Sequence, residues 1–188
     1  MKDTLITLVV SALLGATAQS ASIVYTFSGT GSGTVNSTTF VDVPFTIQVF
    51  ADTSNIVGPS GSFYEVPDDS STITIPGIGT ATFTGNLRVF ALSTAVGFGR
   101  VAGGDLLDMD HPTGFQGITL GTDWGPVFDA SPFAFNQFVN EPSSLGNVTL
   151  SSASDVTFTA GAGAVPEPST ALLGLGGALG MLLVRRRA

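Results

Sequence analysis

From Ser22 to Ala160 apolar residues recur at every second position, and no helix-length apolar stripe interrupts them. Ile23, Tyr25 and Phe27 alternate with Val24, Thr26 and Ser28, the period-two signature of a half-buried strand. The Gly29-Thr-Gly-Ser-Gly33 stretch reads as a turn that breaks this strand. Phe45, Ile47 and Val49 alternate with Thr46 and Gln48 in the next, and Asp52-Thr-Ser-Asn ends it. Further β-like runs follow over 63–66, 72–75, 80–83, 86–92 and 96–101, then over 117–120, 147–152 and 156–160. Thr, Val, Ile and Phe dominate them, while Gly, Pro, Asn, Asp and Ser fill the gaps. Short strands at regular intervals predict an all-β domain, an antiparallel β-sandwich with the jelly roll as one form of it. The fourteen phenylalanines are its natural core, since burying one contributes roughly 1.5–3 kcal/mol.

The segment 103–142 departs from the pattern. It holds the only histidine and tryptophan, the acids Asp105, Asp108 and Asp110, and a proline-interrupted aromatic run from Trp124 to Phe135. A long connection of that kind inside a compact domain tends to carry function.

Two flanks also break the alternation. Residues 1–21 combine Lys2, an apolar run over 5–14 and small residues at Ala16 and Ala18. They read as a secretory signal peptide cut after Ala18, with Ala21 as the second choice; about ten apolar residues are too few to span a bilayer. At the other end Pro166-Glu167-Pro168 precedes an apolar run over 171–184 and the cluster Arg185-Arg186-Arg187. The prolines fix φ and predict an extended hinge. A helix over 169–184 would span roughly 24 Å, a little short of the roughly 30 Å hydrocarbon core, and arginine stems can snorkel to cover the difference. The arginines hold the cytoplasmic side, so the preceding chain is exported. The plan is a signal peptide (1–21), a sandwich (22–160), a Gly/Ala spacer (161–165) and a terminal segment (166–188) with one transmembrane helix.

That terminal order resembles the PEP-CTERM sorting signal of Gram-negative bacteria, and residues 165–188 carry every part of it. The resemblance implies recognition at Pro166, Glu167 and Pro168 by exosortase, a membrane-embedded cysteine transpeptidase-like enzyme. It also implies transient anchoring in the inner membrane, then release or transfer to the cell surface or extracellular matrix. It covers about 24 of 188 residues and implies nothing about what the sandwich does.

Charge narrows the partners. Between residues 22 and 165 lie two arginines, Arg88 and Arg100, and twelve acids, a net charge of −10. Such a domain repels polyanions, so nucleic-acid binding is excluded, while cations, neutral glycans and proteins stay open. There is no cysteine, so no disulfide staples the fold and thiol catalysis is ruled out.

Candidate chemistry is sparse. Asp105, Asp108, Asp110 and His111 suggest a calcium site built from loop oxygens, although the spacing is not that of an EF-hand and a solvated acidic loop is the alternative. No other cofactor is expected, zinc being ill served by one histidine and no cysteine. His111 is the only base for a nucleophilic triad, and no nucleophile elbow accompanies it. Any two of twelve acids could be nominated for glycoside hydrolysis, so the nomination carries no information. Trp124, Tyr64 and Tyr25 are candidate glycan contacts, each with the core as its alternative. Asn36-Ser-Thr and Asn147-Val-Thr match the N-glycosylation pattern, which is incidental in a bacterial setting. The sequence thus reads as a non-enzymatic exported protein of the surface or of an exopolysaccharide (biofilm) matrix. The alternatives are a carbohydrate-binding module, calcium-assisted or not, and a hydrolase around His111.

Overall fold

A computed structural model describes residues 21–134 and 138–163. The expected signal peptide up to residue 20, with Ala16 and Ala18, and the terminal segment with its expected 169–184 helix lie outside the described residues. So do Pro166, Glu167, Pro168 and the three arginines. Among the described residues no helix is long and apolar enough to cross a membrane.

The strands are β1 (Ser22–Val35), β2 (Thr38–Asp52), β3 (Val57–Ser60), β4 (Phe63–Pro67), β5 (Ser70–Ile75), β6 (Gly79–Thr82) and β7 (Leu87–Ala91). They continue with β8 (Ala95–Arg100), β9 (Asp105–Asp110), β10 (Trp124–Asp129), β11 (Phe133–Ala134) and β12 (Val148–Ala162). One antiparallel sheet has the order β10-β12-β1-β2-β5-β6 and the other β11-β9-β8-β7-β4-β3. The fold is the expected antiparallel sandwich, with more strands than the eight of a jelly roll.

The alternation in β1 and β2 points Tyr25, Phe27, Phe45, Ile47 and Val49 inward, all fully buried or nearly so. Phe98 of β8 reaches across from the opposite sheet. Its ring lies 6.5 Å from Phe27, 5.6 Å from Phe83 and 6.4 Å from Phe138, and Phe158 of β12 completes the cluster 5.1 Å from Phe27. Tilted rings at these separations add to the area they bury.

Three sequence expectations are corrected. The Gly29–Gly33 stretch is not a turn but the middle of β1, because its glycines sit opposite bulges. The pairing with β12 slips at Ser28/Thr30 and Ser32/Gly33, and that with β2 slips at Gly31/Gly33. Bulged neighbours press their backbone inward, so that a Cβ at Gly31 would lie 2.7 Å from the Ser152 carbonyl oxygen. Residues 117–120 form no strand either, since Gly117 and Leu120 have φ of +83° and +63°. Ile118 and Leu120 instead plug the core. The Gly/Ala spacer is shorter than expected: Gly161 and Ala162 belong to β12, and Gly163 N–H donates to the Ser22 carbonyl at 2.8 Å.

Polar ties join the sheets at their corners. The Asp68 carboxylate, between β4 and β5, accepts from Ser71 Oγ at 2.6 Å and from Leu87 N at 3.1 Å, one partner in each sheet. Burial pushes Asp68 up from the ordinary carboxylate range, opposed by these hydrogen bonds. Arg100, ending β8, meets Glu141 at 2.5 Å, and the Glu141 side chain is only 3% exposed.

Removing one partner of such a pair strands the other. Arg100→Met should lower unfolding stability by about 3 kcal/mol. Arg100→Met/Glu141→Leu should recover most of that loss, both read from urea denaturation midpoints.

Candidate functional site

The outer face of the second sheet gathers the charged side chains. Strand register places Asp105, Asp108 and Asp110 opposite Gly99, Gly97 and Ala95, positions two apart and therefore on one face. Asp105 and Asp108 are three apart in sequence, and the bulge between Phe98 and Gly99 absorbs the extra residue, Leu106, which is buried. Arg88 and Phe90 pair with Gly99 and Gly97 on the next strand, and Glu65 pairs with Phe90 on the one after.

The guanidinium of Arg88 lies over two rings, 5.7 Å from the centre of Phe63 and 5.5 Å from that of Phe90. It pairs with Glu65 and reaches Asp105 at 3.8 Å. Gly97 leaves the floor open for Phe90 and Asp108, since a Cβ there would overlap both. Burial first, then the neighbouring Asp105 and Asp110 carboxylates, pushes Asp108 up to about 7. Its Oδ1 is buried and has no hydrogen-bond partner among the described residues.

The acids were expected on a loop that wraps an ion; they lie on a strand. Asp105 and Asp110 are separated by four residues of the facing strand, about 13 Å, so one ion does not reach both. Among the described residues no three carboxylate or imidazole groups are placed to hold a metal.

The aromatic candidates separate. Tyr25 is core: it is fully buried, stacks 6.4 Å from Phe158, and donates from its hydroxyl to the Leu120 carbonyl at 2.5 Å. Burial pushes that hydroxyl well up from the ordinary phenol range. Trp124 is half-buried at the start of β10, and its indole N–H donates to the Gly114 carbonyl at 3.0 Å. Tyr64 lines a cleft of about 360 Å³ with Pro59, Ser62, Ser93, Ile118 and Thr119. The cleft thus contains one of the two glycan candidates left outside the core, and Trp124 is not part of its wall.

That lining carries three hydroxyl side chains besides tyrosine and no charge. Ser62, Ser93 and Thr119 gave no signal in the sequence, because serine and threonine are everywhere in it and the three come from separate turns. His111 Nδ1 accepts from Gly114 N at 2.9 Å and from Thr113 N at 3.4 Å. The imidazole therefore fastens the turn after β9, with the neutral ring's proton on Nε2.

The proton on Asp108 gives the acidic face a pH signature. Its folded value lies above the unfolded one, so the folded chain binds that proton more tightly. The stabilisation is complete below about 3.8 and is lost as pH rises through about 7. Asp108→Asn should melt several degrees above wild type at about pH 8 and within a degree of it at about pH 3, measured by circular dichroism.

Comparison with family models matches one of them, the PEP-CTERM protein-sorting motif, to residues 164–187. Neither curated proteins nor solved structures give a match. The motif names exosortase as the processing partner and membrane anchoring as the state that precedes processing. The chain carries the PEP-CTERM sorting motif, the mark of proteins that are exported and held in a membrane until exosortase acts on them, and its cargo is an all-β sandwich of no recognised family.

Proposed function

We propose that this is a non-enzymatic protein of the cell surface or extracellular polysaccharide matrix, delivered through a cleaved signal peptide and released by exosortase. The observation that carries the reading is a sorting motif at 164–187 placed directly after a self-contained sandwich that ends at Gly163. The Ala21 carbonyl accepts from Thr53 N at 3.1 Å. Cleavage after Ala18 leaves this bond in the mature chain and cleavage after Ala21 removes it, which supports Ala16-Thr17-Ala18 as the site.

In a host with exosortase the wild-type chain should lose Ala188 and the residues before it, read by mass spectrometry of the C-terminus. The triple variant Pro166→Ala/Glu167→Ala/Pro168→Ala should retain them. Retention of Ala188 by the wild type overturns the reading.

A second reading, carbohydrate binding, is favoured by the Tyr64 cleft. An uncharged lining of hydroxyls beside an aromatic ring suits a neutral sugar, whose ring faces stack and whose hydroxyls exchange hydrogen bonds. At about 360 Å³ it stands at the small end of the roughly 300–1,000 Å³ typical of ligand pockets, enough for one or two sugar residues. The net charge of −10 between 22 and 165 turns anionic polymers away. Tyr64→Ala should weaken binding of neutral matrix polysaccharide about tenfold, measured by calorimetry. An unchanged affinity removes the cleft from consideration.

A further inference from the structure

The end of β12 differs from the rest of the strand. Up to Ala160 its inward side chains are part of the core, whereas Ala162 is exposed and a Cβ at Gly161 would meet nothing within 4 Å. Gly163 is buried against the chain's beginning, where a Cβ would overlap Ser22 Oγ. These three residues are nonetheless held from both sides. Ile23 and Val24 of β1 pair with Ala162 and Gly161, and Gly163 N–H donates to the Ser22 carbonyl. On the other side Ala162 N–H donates to Asp123 Oδ1 at 3.1 Å. Their grip is hydrogen bonding almost alone, with no apolar side chain to hold them when those bonds open.

Only Ala164 and Val165 separate Gly163 from Pro166 in the sequence. Three steps of chain reach at most about 11 Å, so an enzyme engaging Pro166 meets the folded pole at once. Peptide-binding enzymes take their substrates as extended chain whose backbone groups pair with the groove. A groove that holds four residues before Pro166 reaches Ala162, whose backbone is already committed.

We propose that exosortase recognition extends upstream of Pro166 into Gly161–Gly163, and that the enzyme takes these residues by peeling them from β1 and Asp123. Their small side chains suit the role, since they leave no cavity in the core when they depart and pass through a narrow groove. The pole formed by Ser22, Asp123 and Gly163 is then the surface that faces the enzyme. The inference rests on the sorting reading above, and the following experiment separates the two.

The chain has no cysteine, so Ser22→Cys/Gly163→Cys in the full-length protein introduces a single disulfide across the last rung. Processing is followed by C-terminal mass in an exosortase-bearing host, with the cysteine-free wild type in the same cells as control. The oxidised staple should slow processing at least about tenfold relative to wild type. Six Gly/Ser residues inserted after Gly163 in the stapled chain should restore it by supplying an unpaired lead. Asp123→Ala, which needs no redox chemistry, should be processed faster than wild type. A staple processed at the wild-type rate, or an insertion that restores nothing, overturns the peeling proposal, as does an Asp123→Ala rate equal to wild type. Loss of processing in the wild type itself overturns the sorting reading instead.

Discussion

The pairing of β1 with β12 is the constraint on which the rest of this domain depends. It joins residues as far apart as Ile23 and Ala162, at opposite ends of the described chain. Through Phe27 and Phe158 it supplies half of the aromatic cluster that meets Phe98. It also fixes the edge strand β10, which pairs only with β12 in its sheet, and with it Asp123 and Trp124. A covalent staple is the usual means by which a small exported domain holds distant ends together. Without cysteine, the ladder and the rings beneath it must do so, and the glycines of β1 let the two bulged neighbours close on it.

Positive charge is the scarce resource of the fold, and its use is economical. The domain's two arginines meet its two glutamates, Arg88 with Glu65 and Arg100 with Glu141. The two pairs have different standing. Glu141 is buried and bridges to Val148 at the start of β12, so its partner keeps a carboxylate from being stranded between the sheets. Arg88 lies on the outer face, where it neutralises Glu65, approaches Asp105 and covers two phenylalanine rings. Among the described residues Asp108 has no cation partner, so burial first and then the repulsion of Asp105 and Asp110 make it hold its proton to higher pH than an ordinary carboxylate. The acidic face is thereby a consequence of too few cations on a sheet whose bulge brings three acids to one side.

The architecture was legible in the sequence because alternation in β1, in the second half of β2 and in β5 is clean. Local rules failed where tertiary contacts set the outcome. Gly29, Gly31 and Gly33 carry the signal of a turn, and only the bulges on the neighbouring strands reveal them as sites of close backbone approach. Asp105, Asp108 and Asp110 looked like a loop because acids are rare in strands, yet Leu107 and Met109 between them face the core. The spacing of three then two appeared to spoil any alternation until the bulge at Leu106 restored it. Tyr25 was indistinguishable from Tyr64 in sequence; burial and the bond to Leu120 separate them. The cleft itself was invisible, since its walls come from turns far apart in the chain.

The position of the final strand bears on the order of events at the membrane. Non-local pairing closes late in folding, because the loop entropy must be met before the contacts reward it. The first strand cannot complete its sheet until residues 148–162 have been exported, and the sorting motif begins only two residues after that strand ends. A chain held in the membrane by its terminal segment therefore folds with its last strand emerging beside the bilayer. The hydrogen-bonded rung between Ser22 and Gly163 forms only once the two ends have met, so it closes in a sandwich whose first and last strands are already paired.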